Sequence, residues 1–574
     1  MTENRFLKHN LCLSVFLFVL ICVSLPLRAG ADTLLEKKDF FVDPTYDLTG
    51  RNKITAVLQR FTNQLYFYLD TAWWDSLSID KQKEVNVAIN DLSQEFENRI
   101  YPILTSSYGS EWKPGVDNDA KITILIHPMI ETAGGYFNPG DEYPRAQVFT
   151  SNQREMIYLS SGGIFEPINK SLLSHEFTHL ITFNQKDKTY GVSEETWLNE
   201  ARAEYAPTLL GYDKAYQDSN LQRRVDQFLS TPQDSLTEWQ GKSSDYGALN
   251  LFMQYLADHY GVKILIDSLK SEKTGILSLN YALQKNGFRE DFSQIFTDWT
   301  IAVFVNNCGI SPKYCYLNDN LKGFRITSYI YFLPTADKSS LSVGYLTKDW
   351  AGSWQKIIGI NKSIKLEFTR GSKVNFEVPY IVEYPGGKFS VNFLQLDQSE
   401  KGIAEIQDGK IVSLTIIPSV QEKITGFDNQ QPTYQFSWTV TTESSSENPE
   451  DAELIQKLQK RIQELKDRIT VLQAQIAAKT GTRPISCLSI ENNLYYGMKG
   501  SADVSCLQKF LKELGPEIYP EGLITGNFLS LTKTAVARFQ EKYASEILTP
   551  LGLEKGTGYV GPGTRAKINQ LLGF

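Results

Sequence analysis

The chain has 574 residues, of which 41% are hydrophobic, 12% aromatic and 22% charged, and its formal net charge is −8. This length exceeds what one hydrophobic core accommodates, so we expect three or four domains. An acidic surface repels the phosphate backbone, which argues against nucleic acid as a partner.

Residues 1–31 have the pattern of a secretory signal peptide. Arg5 and Lys8 precede the apolar run LCLSVFLFVLICVSL, and residues 29–31 form an A-x-A-type cleavage site. An uncleaved membrane anchor is the alternative, but the run is short and Pro26 interrupts it. We therefore expect an exported protein.

Two of the six cysteines lie in the signal segment, and the other four form two local pairs. These are Cys308 with Cys315 and Cys487 with Cys506. An even number in an exported chain suggests disulfides. Local pairing is our expectation, since the sequence alone does not fix connectivity.

The segment 32–115 has a mixed and mostly helical pattern. It is either a removable pro-segment or part of the domain that follows. In 116–324, strand patterns at 120–128 and 155–161 come first, and helical patterns then continue to about residue 307. Strands followed by helices predict an α+β enzyme domain.

Residues 325–442 form short β runs separated by Gly, Pro, Asp and Asn turns. That spacing predicts an antiparallel β-sandwich. A polar linker follows at 443–452.

A heptad pattern occupies 453–479 and predicts a short coiled coil. Isoleucine recurs every seven residues with leucine between, at Ile455, Leu458, Ile462, Leu465, Ile469, Leu472 and Ile476. Isoleucine at a and leucine at d favour a parallel homodimer. A single spacer helix is the alternative, because only about three heptads are present and the flanking charges are alike.

The segment LLSHEFTHLITF, residues 172–183, contains a candidate metal site. On a helix His179 lies only about 40° around the axis from His175, while the apolar side chains fall on the opposite face. Two imidazoles on one face supply two ligands for zinc, and Glu176 beside them can take a proton from a bound water. A chance match is the alternative, but the chain has only five histidines.

The third ligand distinguishes families. Thr182 and Gln185 stand where a metzincin has its further residues, so that family is excluded. Downstream, WLNEARAEY carries Glu200 and Glu204 on one helical face. HEFTH followed by WLNEARAEY resembles the gluzincins, which include thermolysin-like proteases and one-zinc aminopeptidases. The whole-chain pattern is most similar to the hyicolysin-type secreted proteases.

The resemblance implies roles for further residues. It makes Glu200 the third zinc ligand and Glu204 a second-shell support for a ligand histidine. It suggests that Tyr246 steadies the oxyanion; a packed tyrosine at a helix start is the alternative. GGYF at 134–137 is either a turn or a substrate-pairing edge strand. The amine-binding motif of the aminopeptidases is missing and Ala201 replaces their usual Gly, which favours an endopeptidase.

The other mature histidines, His127 and His259, are expected to be structural. Residues 117–119 (DND) are expected to form a turn before a strand rather than a calcium site.

Residues 485–574 resemble the three-helix peptidoglycan-binding domain of bacterial wall enzymes. The elements MKGSADVSCLQKFL, ITGNFLSLTKTAVARFQ and GYVGPGTRAKINQLL match in order. The resemblance implies a domain that holds an enzyme on the cell wall. A structural or protein-binding module is the alternative.

The sequence thus predicts a multidomain protein: an α+β zincin-type metalloprotease domain, a β-sandwich, a short coiled coil and a small three-helix domain. We expect a secreted Zn²⁺-dependent endopeptidase at the bacterial cell surface, acting on proteins or peptides. One alternative is a hydrolase of peptidoglycan stem peptides. Another is a surface adhesion or scaffold protein with an inactive protease fold.

Overall fold

The computed structural model describes residues 31–442 and 490–572, apart from short gaps at 334–338, 361, 372, 399, 408–410, 428–429, 491 and 552. The predicted signal segment up to residue 30, the linker, the coiled coil and Cys487 lie outside the described residues. The chain divides into two compact units, Met1–Ser445 and Ser446–Phe574. In the described ranges, no helix combines the length and apolar character needed to cross a membrane.

The first unit begins with a six-stranded sheet in the order β1-β2-β3-β4-β6-β5. Its strands are β1 (Lys37–Phe41), β2 (Lys53–Phe61), β3 (Leu65–Asp70), β4 (Ile122–His127), β5 (Gly135–Tyr136) and β6 (Met156–Ser160). β3, β4 and β6 are parallel neighbours, and all of their residues are buried. Such continuous apolar runs are typical of strands covered on both faces.

The segment 32–115 is mixed, as predicted, and helical residues outnumber strand residues in it, but the three strands β1–β3 also lie there. β3 pairs in parallel with β4, so the predicted boundary at residue 115 falls between two paired strands. The β-branched and aromatic residues at 53–58 and 65–69 indicate strands, which the prediction for this segment did not include.

Ten helices complete this part of the first unit, and some of them, such as the helix Asn169–Phe183, contact the sheet. They are α1 (Thr71–Ser76), α2 (Ile79–Glu95), α3 (Tyr101–Tyr108), α4 (Asn169–Phe183), α5 (Thr196–Leu209), α6 (Asn220–Ser230), α7 (Ser243–Tyr260), α8 (Lys263–Leu269), α9 (Gly275–Lys285) and α10 (Phe292–Val305). α2 runs into α3 through a π-helical turn, Phe96–Ile100. Pro102 lies in the first turn of α3, a position at which helices tolerate proline.

The rest of the first unit is built of strands. They are β7 (Tyr329–Phe332), β8 (Ser340–Lys348), β9 (Gln355–Ile358), β10 (Ile364–Arg370), β11 (Phe376–Glu377), β12 (Pro379–Tyr384), β13 (Lys388–Phe393), β14 (Lys401–Ile406), β15 (Ser413–Ile416), β16 (Ser419–Val420) and β17 (Thr433–Thr442). Sheets β14-β10-β17-β8 and β13-β12-β15-β9-β7 enclose one apolar core. The predicted sandwich is present, with one parallel pair, β7 and β9.

The expected disulfide between Cys308 and Cys315 is present, just beyond the end of α10. The pairing of Cys506 with Cys487 lies outside the described residues, because Cys487 is not described.

Within the described residues 490–572, the second unit has four helices, where three were expected over 485–574. They are α11 (Ala502–Glu513), α12 (Ser530–Lys542), α13 (Ala544–Ile547) and α14 (Pro562–Leu572). Gln508 donates to the hydroxyl of Thr532, and Gln540 donates to the hydroxyl of Thr564, in both cases 24 residues downstream. α11 and α12 therefore each carry a glutamine that donates to a threonine at the start of a later helix.

Candidate metal centre

Two neighbouring helices bring the three predicted metal ligands together. α4 carries His175 and His179, and α5 carries Glu200. The Nε2 atoms of the histidines lie 3.1 Å apart, and Glu200 Oε2 lies 3.2 Å from His175 Nε2 and 3.6 Å from His179 Nε2. The three atoms therefore form a nearly equilateral triangle.

This triangle fits a metal ion. Ligand atoms about 2 Å from a tetrahedral centre are separated by roughly 3.3 Å. Both histidines are buried, and Glu200 Oε2 is buried without a hydrogen-bond partner among the described residues. The group His175, His179 and Glu200 could hold a metal ion.

The far side of each imidazole meets an oxygen that orients it. Glu204 Oε1 lies 3.2 Å from His175 Nδ1, and Asn199 Oδ1 lies 3.1 Å from His179 Nδ1. Each oxygen can accept the Nδ1 proton, which leaves Nε2 free to act as a ligand. Glu204 thus lies where the prediction placed it, whereas the role of Asn199 was missed although it stands in the NE motif.

A third helix holds Glu204 in place. Arg224 of α6 donates from Nε to Glu204 Oε2 at 2.7 Å and from its terminal nitrogen to Oε1. Asn220 donates to the same carboxylate at 3.0 Å. The sequence offered no signal for Arg224, because its pairing depends on how α6 packs against α5 and α7.

The charges of the centre are strongly coupled. Burial opposes a charged His175, but the adjacent carboxylates of Glu200 and Glu204 outweigh burial and raise the pKa of His175 to about 10. Burial also opposes ionisation of Glu200, yet the adjacent His179 and His175 lower its pKa to about 2. A metal ion that binds here must displace a proton, so its affinity should rise with pH.

Glu176 lies beside the triangle and is buried. Burial raises the pKa of its carboxyl, although the two histidines partly counteract this. A raised pKa suits a group that takes up a proton and returns it near neutral pH.

The strand β5, which is part of GGYF, runs next to Glu176. It is an edge strand, antiparallel to β6, and not only a turn. A Cβ on Gly135 would lie 2.7 Å from the carbonyl oxygen of Tyr158 and 3.3 Å from Glu176 Cγ. Glycine at this position lets the strand pass close to the carboxylate.

Tyr246, at the start of α7, faces the same centre. It lines the cleft with the three ligands, and its ring centroid lies 6.4 Å from that of His175. The Arg224 guanidinium lies 4.4 Å from the Tyr246 ring. The cleft encloses about 300 Å³, and Tyr46 and Tyr136 also line it.

The other histidines have structural partners, as expected. His127 Nδ1 lies 3.3 Å from Asp47, and His259 Nε2 lies 2.8 Å from the carbonyl oxygen of Cys315. Asp117 accepts the backbone N–H of Asp119 at 2.9 Å, which is a turn contact.

No protein-family model and no curated protein matches this chain. The chain is similar, at 6% identity, to the pre-peptidase C-terminal domain of a collagenase from Bacillus anthracis, over 20% of this chain and 94% of that chain, with a TM-score of 0.15. It is similar, at 9% identity, to PliG of Aeromonas hydrophila, a periplasmic inhibitor of g-type lysozyme, over 20% of this chain and 100% of that chain, with a TM-score of 0.15. Likenesses this small carry no argument about fold or function.

Proposed function

We propose that this protein is an exported zinc-dependent endopeptidase of the gluzincin type. One observation carries the proposal: the triangle of His175, His179 and Glu200 lies beside the carboxylate of Glu176 and within one cleft. Two imidazoles and one carboxylate are a ligand set of catalytic zinc sites, in which a fourth position stays open.

Bound zinc would act as a Lewis acid toward the scissile carbonyl and would lower the pKa of water. Glu176 would take the proton of the attacking water and pass it to the leaving amine. Glu204 and Asn199 would keep the imidazoles of His175 and His179 oriented, and Tyr246 would donate its hydroxyl proton in a hydrogen bond to the oxyanion.

The edge strand β5 supports an extended peptide as substrate. An edge strand offers unpaired backbone donors and acceptors to a chain lying alongside it. The sequence lacks the amine-binding motif of the one-zinc aminopeptidases, which is why we propose cleavage within a chain.

The second unit supports a location at the cell wall. Tyr495, Tyr496 and Tyr559 are exposed, and the bridge between Leu494 and Val560 brings Tyr495 next to Tyr559. Exposed aromatic rings in one patch suit stacking on flat or sugar surfaces. Cleavage of peptidoglycan stem peptides is the second candidate, and this patch is the observation that favours it. An inactive fold in a scaffold protein is the third.

The test combines zinc content with cleavage of casein and of muropeptides. We expect about one zinc per chain, casein cleavage by the unaltered protein, and retained zinc with lost cleavage in Glu176→Gln. Glu166→Gln, at an exposed position outside the cleft, is the matched control and should keep both. Muropeptide cleavage without casein cleavage would favour the stem-peptide hydrolase. Zinc without cleavage of either substrate would overturn both enzyme proposals.

A further inference from the structure

Two buried carboxyl groups meet in the loop that joins β5 to β6. Glu142 ends the 3-10 turn Pro139–Glu142, and Glu155 directly precedes β6. The two groups lie within hydrogen-bonding range of each other, and their residues are 0% and 2% exposed. Both oxygens of Glu142 and Oε2 of Glu155 lack a hydrogen-bond partner among the described residues. Buried carboxylate oxygens without a partner are costly, so these three oxygens require a proton or a cation.

A glycine turn fixes the position of the Glu155 carboxylate. Val116 donates its backbone N–H to Glu155 Oε1 at 2.9 Å. A Cβ on Gly115 would overlap Glu155 Oε2, and Gly115 has a φ of +86°. Glycine is required here, because it adopts this backbone conformation and leaves space for the carboxylate. The turn therefore occupies Oε1, and Oε2 remains for a ligand.

The surroundings of the pair are acidic. Burial and the adjacent Glu155 raise the pKa of Glu142, and the nearby Asp141 acts in the same direction. Burial also raises the pKa of Glu155, and the charge of Asp117 adds to this effect. Two further carboxylates thus increase the negative potential at the pair, which favours a cation there.

Lys188 is the cation that acts on Glu142, and it is held by other groups. Its Nζ lies 3.6 Å from the centroid of the Trp112 ring and donates to the backbone carbonyl oxygen of Glu142 at 3.4 Å. Its charge opposes the rise in the pKa of Glu142. Neither Glu142 nor Glu155 forms an ion pair with any other described residue. One lysine at this distance reduces the charge of two carboxylates but does not balance it.

A shared proton is the alternative to a cation. One proton joins one oxygen of Glu142 to one oxygen of Glu155, and it leaves the second oxygen of Glu142 buried without a partner. A divalent cation can contact all three oxygens, because Ca²⁺ accepts carboxylates through one or both oxygens and tolerates irregular geometry. Ligands that are all oxygen also suit a hard cation better than zinc.

We propose that Glu142 and Glu155 bind a structural Ca²⁺ ion. The ion would join the turn Pro139–Glu142 to the start of β6. Pro139 lines the cleft, so the ion would hold the cleft wall in place. None of the three candidate zinc ligands belongs to this pair. The proposal goes beyond the proposed function and stands without it, because it concerns cation binding and stability alone.

The test titrates Ca²⁺ into the full chain in a calorimeter, after a chelating resin has removed bound metal and one equivalent of Zn²⁺ has been returned. We expect about one Ca²⁺ per chain, with a Kd of about 1 mM or tighter, and a thermal midpoint that rises with Ca²⁺. Glu142→Gln and Glu155→Gln should each weaken binding by at least about tenfold, since each removes a ligand charge. Glu166→Gln, at an exposed position, is the matched control and should bind Ca²⁺ normally.

Tb³⁺ luminescence provides a second measurement that does not depend on the folding of the glutamine variants. Tb³⁺ occupies Ca²⁺ sites, and excitation of Trp112, which Lys188 links to Glu142, should sensitise its emission. Ca²⁺ should displace the Tb³⁺, and Trp112→Phe should reduce the sensitised emission while Ca²⁺ binding persists. Emission that Trp112→Phe leaves unchanged would place the ion elsewhere and overturn the proposal.

Two calorimetric outcomes would also overturn it. One is the absence of Ca²⁺ binding up to about 10 mM, a concentration above the range of weak protein sites. If Glu142→Gln is then as stable as the unaltered protein, the pair shares a proton. The other outcome is full Ca²⁺ affinity in both glutamine variants, which would mean that the ion binds to different residues.

Discussion

Glu204 Oε1 lies 3.2 Å from His175 Nδ1, and both oxygens of the same carboxylate accept hydrogen bonds from Arg224. The arginine balances a charge that would otherwise be costly to bury. It also fixes the carboxylate, so that the imidazole is oriented by a group that is itself oriented. The candidate metal ligands on α4 and α5 are therefore held in place by α6 through Glu204.

We expect Glu204→Gln to weaken zinc binding by about tenfold to a hundredfold, the usual effect of losing an orienting partner of a ligand histidine. Competition with a chromophoric chelator measures the affinity. Arg224 then lacks its carboxylate, so circular dichroism must show that the variant is folded. Asn199→Leu, which removes the partner of His179 without freeing a buried charge, should weaken binding in the same direction. Unchanged affinity in both variants would contradict this orienting role.

Tyr246→Phe should lower kcat by about a hundredfold to a thousandfold, because a donor to the oxyanion acts mainly in the transition state. KM and zinc content should change little, since the ring remains and the hydroxyl is not a ligand. Steady-state kinetics on casein-derived peptides provides the measurement. Tyr216→Phe, at a half-buried tyrosine outside the cleft, is the control and should keep full activity. A fall in zinc content with Tyr246→Phe would point to a packing role instead.

The grouping of the candidate ligands could be predicted because it follows from local rules. Helical periodicity places His175 and His179 on one face, and the motif spacing placed Glu200 and Glu204 on a second helix. The contact that holds Glu204 in place, its ion pair with Arg224, could not be predicted in the same way. Arg224 meets Glu204 only through the packing of separate helices, and no short-range pattern encodes that distance.

In the fold as well, some elements follow from local sequence patterns and others do not. The long buried strands and the sandwich follow from their apolar and alternating patterns. β1 to β3 were missed because their segment also contains a long helical pattern, which dominated the interpretation of 32–115. β5 is only two residues long, so its sequence is compatible with either a strand or a turn. Its pairing with β6 shows that it is a strand.

Gly247→Ala should destabilise the protein by about 1 to 3 kcal/mol, as overpacking of a close contact does. A Cβ at this position would lie 2.6 Å from the backbone nitrogen of Phe228 and 3.0 Å from the carbonyl oxygen of Arg224. α6 must then move away from α7, which also displaces Arg224 from Glu204. Thermal unfolding and the zinc titration measure the two effects. Gly163→Ala, where a Cβ meets nothing within 4 Å, is the control and should alter neither.

Asp298 in α10 gives a prediction about pH. Its side chain is buried, and its Oδ2 accepts no hydrogen bond from the described residues. Burial raises the pKa of this carboxyl from 3.8 to about 6, only partly offset by Lys313. Because the folded protein holds this proton more tightly than the unfolded chain, the group lowers stability as the pH rises from about 4 to above 6.

Asp298→Asn keeps the shape of the neutral acid and removes the cost of ionising it. We expect the variant to exceed the unaltered protein by roughly 2 to 3 kcal/mol at pH 8 and to equal it near pH 3.5, below both pKa values. Urea unfolding at the two pH values measures the difference. Asp226→Asn, at an exposed position of α6, should show no such dependence on pH. Equal gains at both pH values would mean that the substitution improves packing and that the ionisation of Asp298 costs nothing.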